Sequence, residues 1–144
     1  MDFDNFKVGN LEKNTLNYLS KTVNDHNVAK GWRDNSNKIK AVLQEHAPEL
    51  IPLFEGYLTA AMIALIHSEL SEALEADRKN LMDDHLTNRK GIEVELADAQ
   101  IRINDLCGYK GLDLGGAVVD KFEYNKHRAD HKKENRAKEN GKKY

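Results

Sequence analysis

The sequence predicts an all-α protein, a bundle of four or five helices joined by short connections. Three observations carry that prediction. Apolar residues recur at three- and four-residue steps over long stretches, and nothing alternates with period two for long enough to make a strand. The 144 residues include only 2 Pro and 9 Gly, too few for a chain of many tight turns. With 32% charged and 40% hydrophobic residues the chain has material for a core and does not read as a disordered tail. The length suits one domain, 1–144.

Each element follows in order. Leu16, Leu19, Val23 and His26 step along a first amphipathic helix from Leu11 to about Ala29, and Gly31 interrupts it. Trp32 to about Gln44 reads as a polar loop and a short helix. Pro48 and Pro52 then punctuate the approach to the central helix, about Phe54 to Lys79. A polar loop holding Asp83, Asp84, Thr87 and Asn88 leads to Gly91, and the pattern from Ile92 to Cys107 is closed by Gly108 and Gly111. Asp113 stands before Leu114 as an N-cap for a last helix running through Val118, Val119 and Phe122 to about Arg128.

Composition and charge exclude several classes. The longest apolar run, Leu58 to Ile66 with Thr59 inside it, is far short of the roughly 20 residues of a bilayer span. The acidic start Met1-Asp2-Phe3-Asp4-Asn5 lacks the form of a secretory signal, so the expectation is a cytoplasmic protein with no membrane partner. The single cysteine, Cys107, has apolar neighbours at helical spacing and reads as a buried small side chain. Net charge is −2, but the basic segment from about 121 to 144 holds nine Lys/Arg against four acids, leaving −7 on residues 1–120. An acidic body with a basic C-terminal segment suits metal-bound phosphate, and basic tails also bind nucleic acid or stay solvated.

The carboxylates stand where a core should be. At about 100° per residue, Leu58, Met62, Leu65, Glu69, Glu72, Ala73 and Ala76 share one sector of the central helix. An unpaired buried carboxylate costs several kcal/mol, so two side by side demand a cation, either Lys/Arg or a metal. The next helix carries two apolar stripes, with Glu95, Asp98, Arg102 and Asp105 between them on one side and Glu93, Gln100 and Asn104 on the other, the latter set suited to solvent. Glu69-x-x-Glu72 and Glu95-x-x-Asp98 would then face each other across antiparallel helices. Four hard oxygen donors suit Mg²⁺ or Mn²⁺ better than zinc. A di-iron or di-manganese oxidase would want Glu-x-x-His on two helices, which this chain lacks. Asp105 is expected to pair with Arg102 or another basic residue rather than join the ligands.

At this point the chain resembles the MazG-like members of the all-α NTP pyrophosphohydrolase superfamily, many of them encoded by phages and bacteria. The resemblance rests on Glu69-Leu70-Ser71-Glu72 followed after 22 residues by Glu95-Leu96-Ala97-Asp98. It extends to Leu65–Glu75, to Lys121-Phe122-Glu123-Tyr124-Asn125-Lys126-His127-Arg128, and to the ending Gly141-Lys142-Lys143-Tyr144. It implies Mg²⁺-dependent cleavage of a (d)NTP between its α and β phosphates, with Mn²⁺ as substitute metal, giving (d)NMP and pyrophosphate. The metal ligands would be Glu69, Glu72, Glu95 and Asp98, with Glu72 or Glu69 handling the attacking water. Lys121, Asn125 and Arg128, at i, i+4 and i+7, would present one helical face to the phosphates, with Lys126 as a further candidate. The resemblance also implies a homodimer or homotetramer. Trp32, the only tryptophan, would stack on a nucleobase or cap the bundle.

Two other functions fit parts of the sequence. A non-catalytic sensor of metal-bound nucleotide would keep the fold without turnover. A nucleic-acid binder would use the tail from Lys132 to Lys143, but Glu134 and Glu139 alternate with its cations and no aromatics are interleaved, which argues against it. The segment 37–54 has no counterpart in the resemblance.

Overall fold

A computed structural model of the protein describes residues 7–141. Its elements are α1 (Asn10–Ala29), α2 (Asp34–His46), α3 (Ile51–Lys79), α4 (Gly91–Lys110), α5 (Leu114–His127) and the single-turn α6 (Lys133–Arg136), with 3-10 turns at Pro48–Leu50 and Ala129–His131. Among the described residues the only β feature is an isolated antiparallel bridge between Met82 and Lys90. The protein is all-α, as the periodicity predicts.

Two helix boundaries differ from expectation for physical reasons. Helix α3 starts at Ile51 because Pro52 sits in its first turn, where the missing N–H would have had no partner anyway. Helix α4 runs through Gly108 to Lys110 and ends at Gly111, whose φ of 64° suits glycine, while the Leu112 N–H donates to Cys107 O at 2.9 Å. Gly108 is there for packing: a Cβ on it would overlap the carbonyl oxygen of Ser20 in α1.

The chain forms two compact units, one of Leu19–Leu112 and one drawn from Met1–Tyr18 and Asp113–Tyr144. The larger is built on the antiparallel pair α3 and α4, whose direction shows in Glu55 meeting Tyr109, Glu69 meeting Arg102 and Ala76 lying against Gly91. Met62, Ala73, Ala76, Ala99 and Cys107 form its buried apolar seam. Small residues let the helices approach closely, and a Cβ on Gly91 would come within 2.9 Å of the Ala76 Cβ. Cys107 is buried as expected, which pushes its thiol pKa up. Asn104 corrects an expectation: it is fully buried rather than solvated, accepting from Ser20 Oγ at 2.9 Å and donating to Gln100 O at 2.9 Å.

The outer side of α3 leaves Leu53, Tyr57, Ile63, Leu70 and Leu74 exposed. Pro48–Lys79 contains an 18-residue window of mean hydropathy 1.6 and is long and apolar enough, by length and composition alone, to cross a membrane. Run length missed this, because single polar residues break a run without much lowering a window average.

In the smaller unit Asp113 caps α5 as predicted, accepting from the Gly116 N–H at 2.8 Å. Asn17 of α1 donates to Asp113 at 2.6 Å and accepts from the Gly115 N–H at 2.8 Å, and Lys13 pairs with Asp113 at 3.3 Å.

Candidate functional site

Antiparallel packing of α3 on α4 brings Glu69, Glu95 and Asp98 together, one carboxylate oxygen from each lying within 4.8 Å of the others. The i,i+3 spacing on α4 puts Glu95 and Asp98 on adjacent turns of one face, and Glu69 is only 6% exposed. Arg102, one turn beyond Asp98, donates its Nε–H to Glu69 Oε1 at 2.6 Å. The demand for a cation beside a buried Glu69 is thus met in part by a guanidinium.

Glu72 departs from the expected set. It is exposed and lies outside the three-carboxylate group, because Glu72 and Leu65 occupy the edge of the apolar sector rather than its middle. Its charge still reaches Glu95. The Glu95 carboxyl is held above its ordinary value, first by burial, then by repulsion from Glu72, Glu69 and Asp98, and by a hydrogen bond with Glu69. Of these four carboxylates only Glu69 is paired with Arg102, which leaves the group rich in negative charge. Such a set of hard oxygens with residual negative charge fits Mg²⁺ or Mn²⁺.

Beside the carboxylates lies a cavity of about 330 Å³, walled by Glu69, Asp98 and Arg102 together with Asn27, Trp32, Arg33, Met62, Leu65, Ile101 and Asp105. Trp32, 75% exposed, lines this cavity. Asp105 pairs with Arg33, not with Arg102, and also accepts from Asn24 Nδ2 at 3.0 Å, which removes it from the ligand set. Arg33 is nine-tenths buried, stacks 5.0 Å from the Tyr109 ring centroid, and has an Nε without a hydrogen-bond partner. Sequence reasoning missed Arg33 at this site, and its one signal was adjacency to Trp32.

The segment 37–54 gains a role. Lys40 of α2 reaches Glu55 at 3.2 Å and the Tyr109 hydroxyl at 3.2 Å, and that hydroxyl donates to Glu55 at 2.7 Å. This trio fastens α2 to α3 and α4.

The expected phosphate-binding residues all belong to the smaller unit. Lys121 and Asn125 share a face of α5 with Ala117, Val118 and Phe122, along an open groove of about 550 Å³. Lys121 Nζ lies 4.7 Å from the Tyr124 ring centroid, and Asn125 Oδ1 is buried without a partner. Arg128 is not on that face: α5 ends at His127, Arg128 is extended, and its guanidinium makes two bonds to Asp130, at 2.9 and 2.6 Å. Lys126 remains inside the helix, paired with Glu123 at 2.8 Å. Lys142, Lys143 and Tyr144 of the family-like ending, and the acidic start through Asn5, lie outside the described residues.

No protein-family model matches this chain, and neither a curated protein nor a solved structure matches it.

Proposed function

We propose that the protein is a MazG-like nucleoside triphosphate pyrophosphohydrolase, cleaving (d)NTP to (d)NMP and pyrophosphate in the cytoplasm and so trimming the nucleotide pool. The observation that carries this reading is the convergence of Glu69, Glu95 and Asp98 oxygens within 4.8 Å, at the wall of a cavity that Trp32 also lines. The E-x-x-E and E-x-x-D spacing adds the resemblance to it.

In this reading Glu69, Glu95 and Asp98 hold Mg²⁺, or Mn²⁺ in its place. When bound, the ion supplies charge neutralisation for the triphosphate and acidification of a water. Glu72, exposed beside the cluster, would orient the attacking water and accept its proton. Trp32 stacks on the base. Lys121 and Asn125 remain phosphate candidates, and Arg128 and Lys126 would first have to leave Asp130 and Glu123. The exposed apolar side of α3 supports a homodimer or homotetramer.

The test is to incubate the purified protein with Mg²⁺ and each common NTP and dNTP, separating monophosphate, diphosphate and pyrophosphate by chromatography. Equimolar monophosphate and pyrophosphate, abolished by chelator and reduced more than about 100-fold by Glu95→Gln, is the expected result. Saturable, metal-dependent nucleotide binding without any product would replace the enzyme by a sensor.

A further inference from the structure

Among the described residues the only cation paired with the carboxylate cluster is Arg102, and the way it is held is informative. It reaches Glu69 through Nε alone, and among the described residues no hydrogen bond or ion pair engages its two terminal nitrogens. Glu69 is deeply buried, its side chain 8% exposed, whereas the Arg102 side chain is 40% exposed and lines the cavity. The carboxylate is therefore fixed while the guanidinium has room to move. A divalent ion bound by Glu69, Glu95 and Asp98 would draw on the same Glu69 carboxylate whose Oε1 now accepts the Arg102 Nε–H, and would bring a second positive charge beside the guanidinium. Ion and guanidinium would repel each other across one carboxylate.

The surroundings limit where a displaced Arg102 can go. Asp105, one turn along the same face, is already held by Arg33 and Asn24. Asp98, one turn back, would itself be a ligand of the ion. The remaining directions are solvent and the cavity, whose wall also carries Arg33 with its unpartnered, buried Nε. A guanidinium released into this cavity beside a cation site would make a place for a polyanion bridged to that cation, with the buried charge of Arg33 behind the wall.

We propose that Arg102 is a resident counter-cation that occupies Glu69 when the site is metal-free and, on metal binding, is released to the phosphates of a bound nucleotide. The proposal rests on the metal-dependent reading above. It gives the empty site a charge partner, makes metal and phosphate binding cooperative, and makes Arg102 a substrate-binding residue only once the ion is in place.

The primary experiment uses the wild-type protein. The Arg102 Nε–H cross-peak in a ¹H–¹⁵N NMR spectrum, assigned by its loss in Arg102→Lys, is followed as Mg²⁺ and then an α,β-methylene nucleoside triphosphate are added. The expected result is a downfield, slowly exchanging peak without metal, collapse toward the free-arginine position with Mg²⁺, and a second displacement with nucleotide. Calorimetry of Mn²⁺ binding gives an independent readout: Arg102→Gln binds Mn²⁺ about 10-fold or more tightly than wild type, yet binds the nucleotide analogue about 10-fold more weakly once Mn²⁺ is saturating. A peak that does not move with saturating Mg²⁺, together with equal Mn²⁺ affinity of the two proteins, overturns the displacement while leaving the metal reading intact. Tighter Mn²⁺ binding with unchanged nucleotide affinity overturns the transfer to phosphate. Failure of wild type and Arg102→Gln alike to bind Mn²⁺ overturns the metal reading and this proposal with it.

Discussion

Arg33 and Asp105 form an ion pair that is almost wholly withdrawn from water, each side chain only 11% exposed. It joins the chain just before α2 to the C-terminal half of α4, and Asn24 of α1 adds a hydrogen bond to the same carboxylate. Removing one partner strands a charge where water cannot reach it. Asp105→Ala is expected to cost about 3–5 kcal/mol of stability. Replacing both partners by apolar residues of similar size, Arg33→Met with Asp105→Leu, costs less than the single change. Urea unfolding followed by circular dichroism checks both, and a cost below about 1 kcal/mol for Asp105→Ala would show that the pair contributes little.

Two glycines in helices are expected to respond oppositely to alanine. At Gly56, in α3, an added Cβ meets nothing within 4 Å, so Gly56→Ala gains helix propensity and stabilises by about 0.5–1 kcal/mol. At Gly108 the same methyl collides with the Ser20 carbonyl oxygen, a rigid backbone atom. Gly108→Ala is expected to lose about 1–3 kcal/mol despite the same propensity gain. Thermal melts of the two variants with opposite shifts in Tm would establish that α1 rests on α4 at this point.

The Glu55, Tyr109 and Lys40 trio predicts an acid-side dependence of stability. Glu55 is held below its ordinary value of 4.5, chiefly by the Tyr109 hydroxyl and further by Lys40, against the opposing effect of burial. A carboxylate whose pKa is lower in the folded state adds stability that is complete above its unfolded pKa. That stability is lost as the pH falls through the lowered one. Between neutral pH and about 5 Glu55 therefore contributes fully, and below 4.5 its contribution declines. Glu55→Gln is expected to be less stable than wild type at pH 7 by about 1–2 kcal/mol, with the gap closing in the acid range. Urea titrations of both proteins at a series of pH values measure the gap directly, and a gap constant with pH would count against the ionised trio.

What could be read from sequence follows physical lines. Helical periodicity is local, so α1, α3, α4 and α5 were legible to within a few residues, and Asp113 was legible as a cap because capping involves only its own turn. Glu69 was legible because an acid on an apolar helix face is costly without a partner, and Glu95 and Asp98 because they fill the wedge between two apolar stripes of the next helix. Glu72 differed from Glu69 only by lying at the sector's edge, which a wheel resolves poorly. Asn104, Arg33 and the Lys40 contacts were not legible. Each depends on which helix crosses another and where, and no local pattern encodes that. Arg102 stood in the right wedge, but its pairing with Glu69 rather than Asp105 goes with the Arg33–Asp105 pair, which depends on where the chain before α2 meets α4.

Trp32 offers the most direct check of ligand class. It is the only tryptophan, 75% exposed, and on the wall of the cavity that also holds Glu69 and Asp98, so its fluorescence reports on whatever enters there. A base stacked on an indole contributes about 1–3 kcal/mol, and it does so equally in the ground and transition states because the base is remote from the α-phosphorus. Trp32→Ala should then raise KM roughly 5- to 150-fold with kcat nearly unchanged, while Trp32→Phe retains most of the affinity. In the wild type a non-hydrolysable nucleoside triphosphate with Mg²⁺ is expected to quench the indole, and inorganic tripolyphosphate with Mg²⁺, which has no base, is not. Equal quenching by both would mean that the indole senses phosphate or metal rather than a base. An unchanged KM in Trp32→Ala would move the base away from this wall altogether.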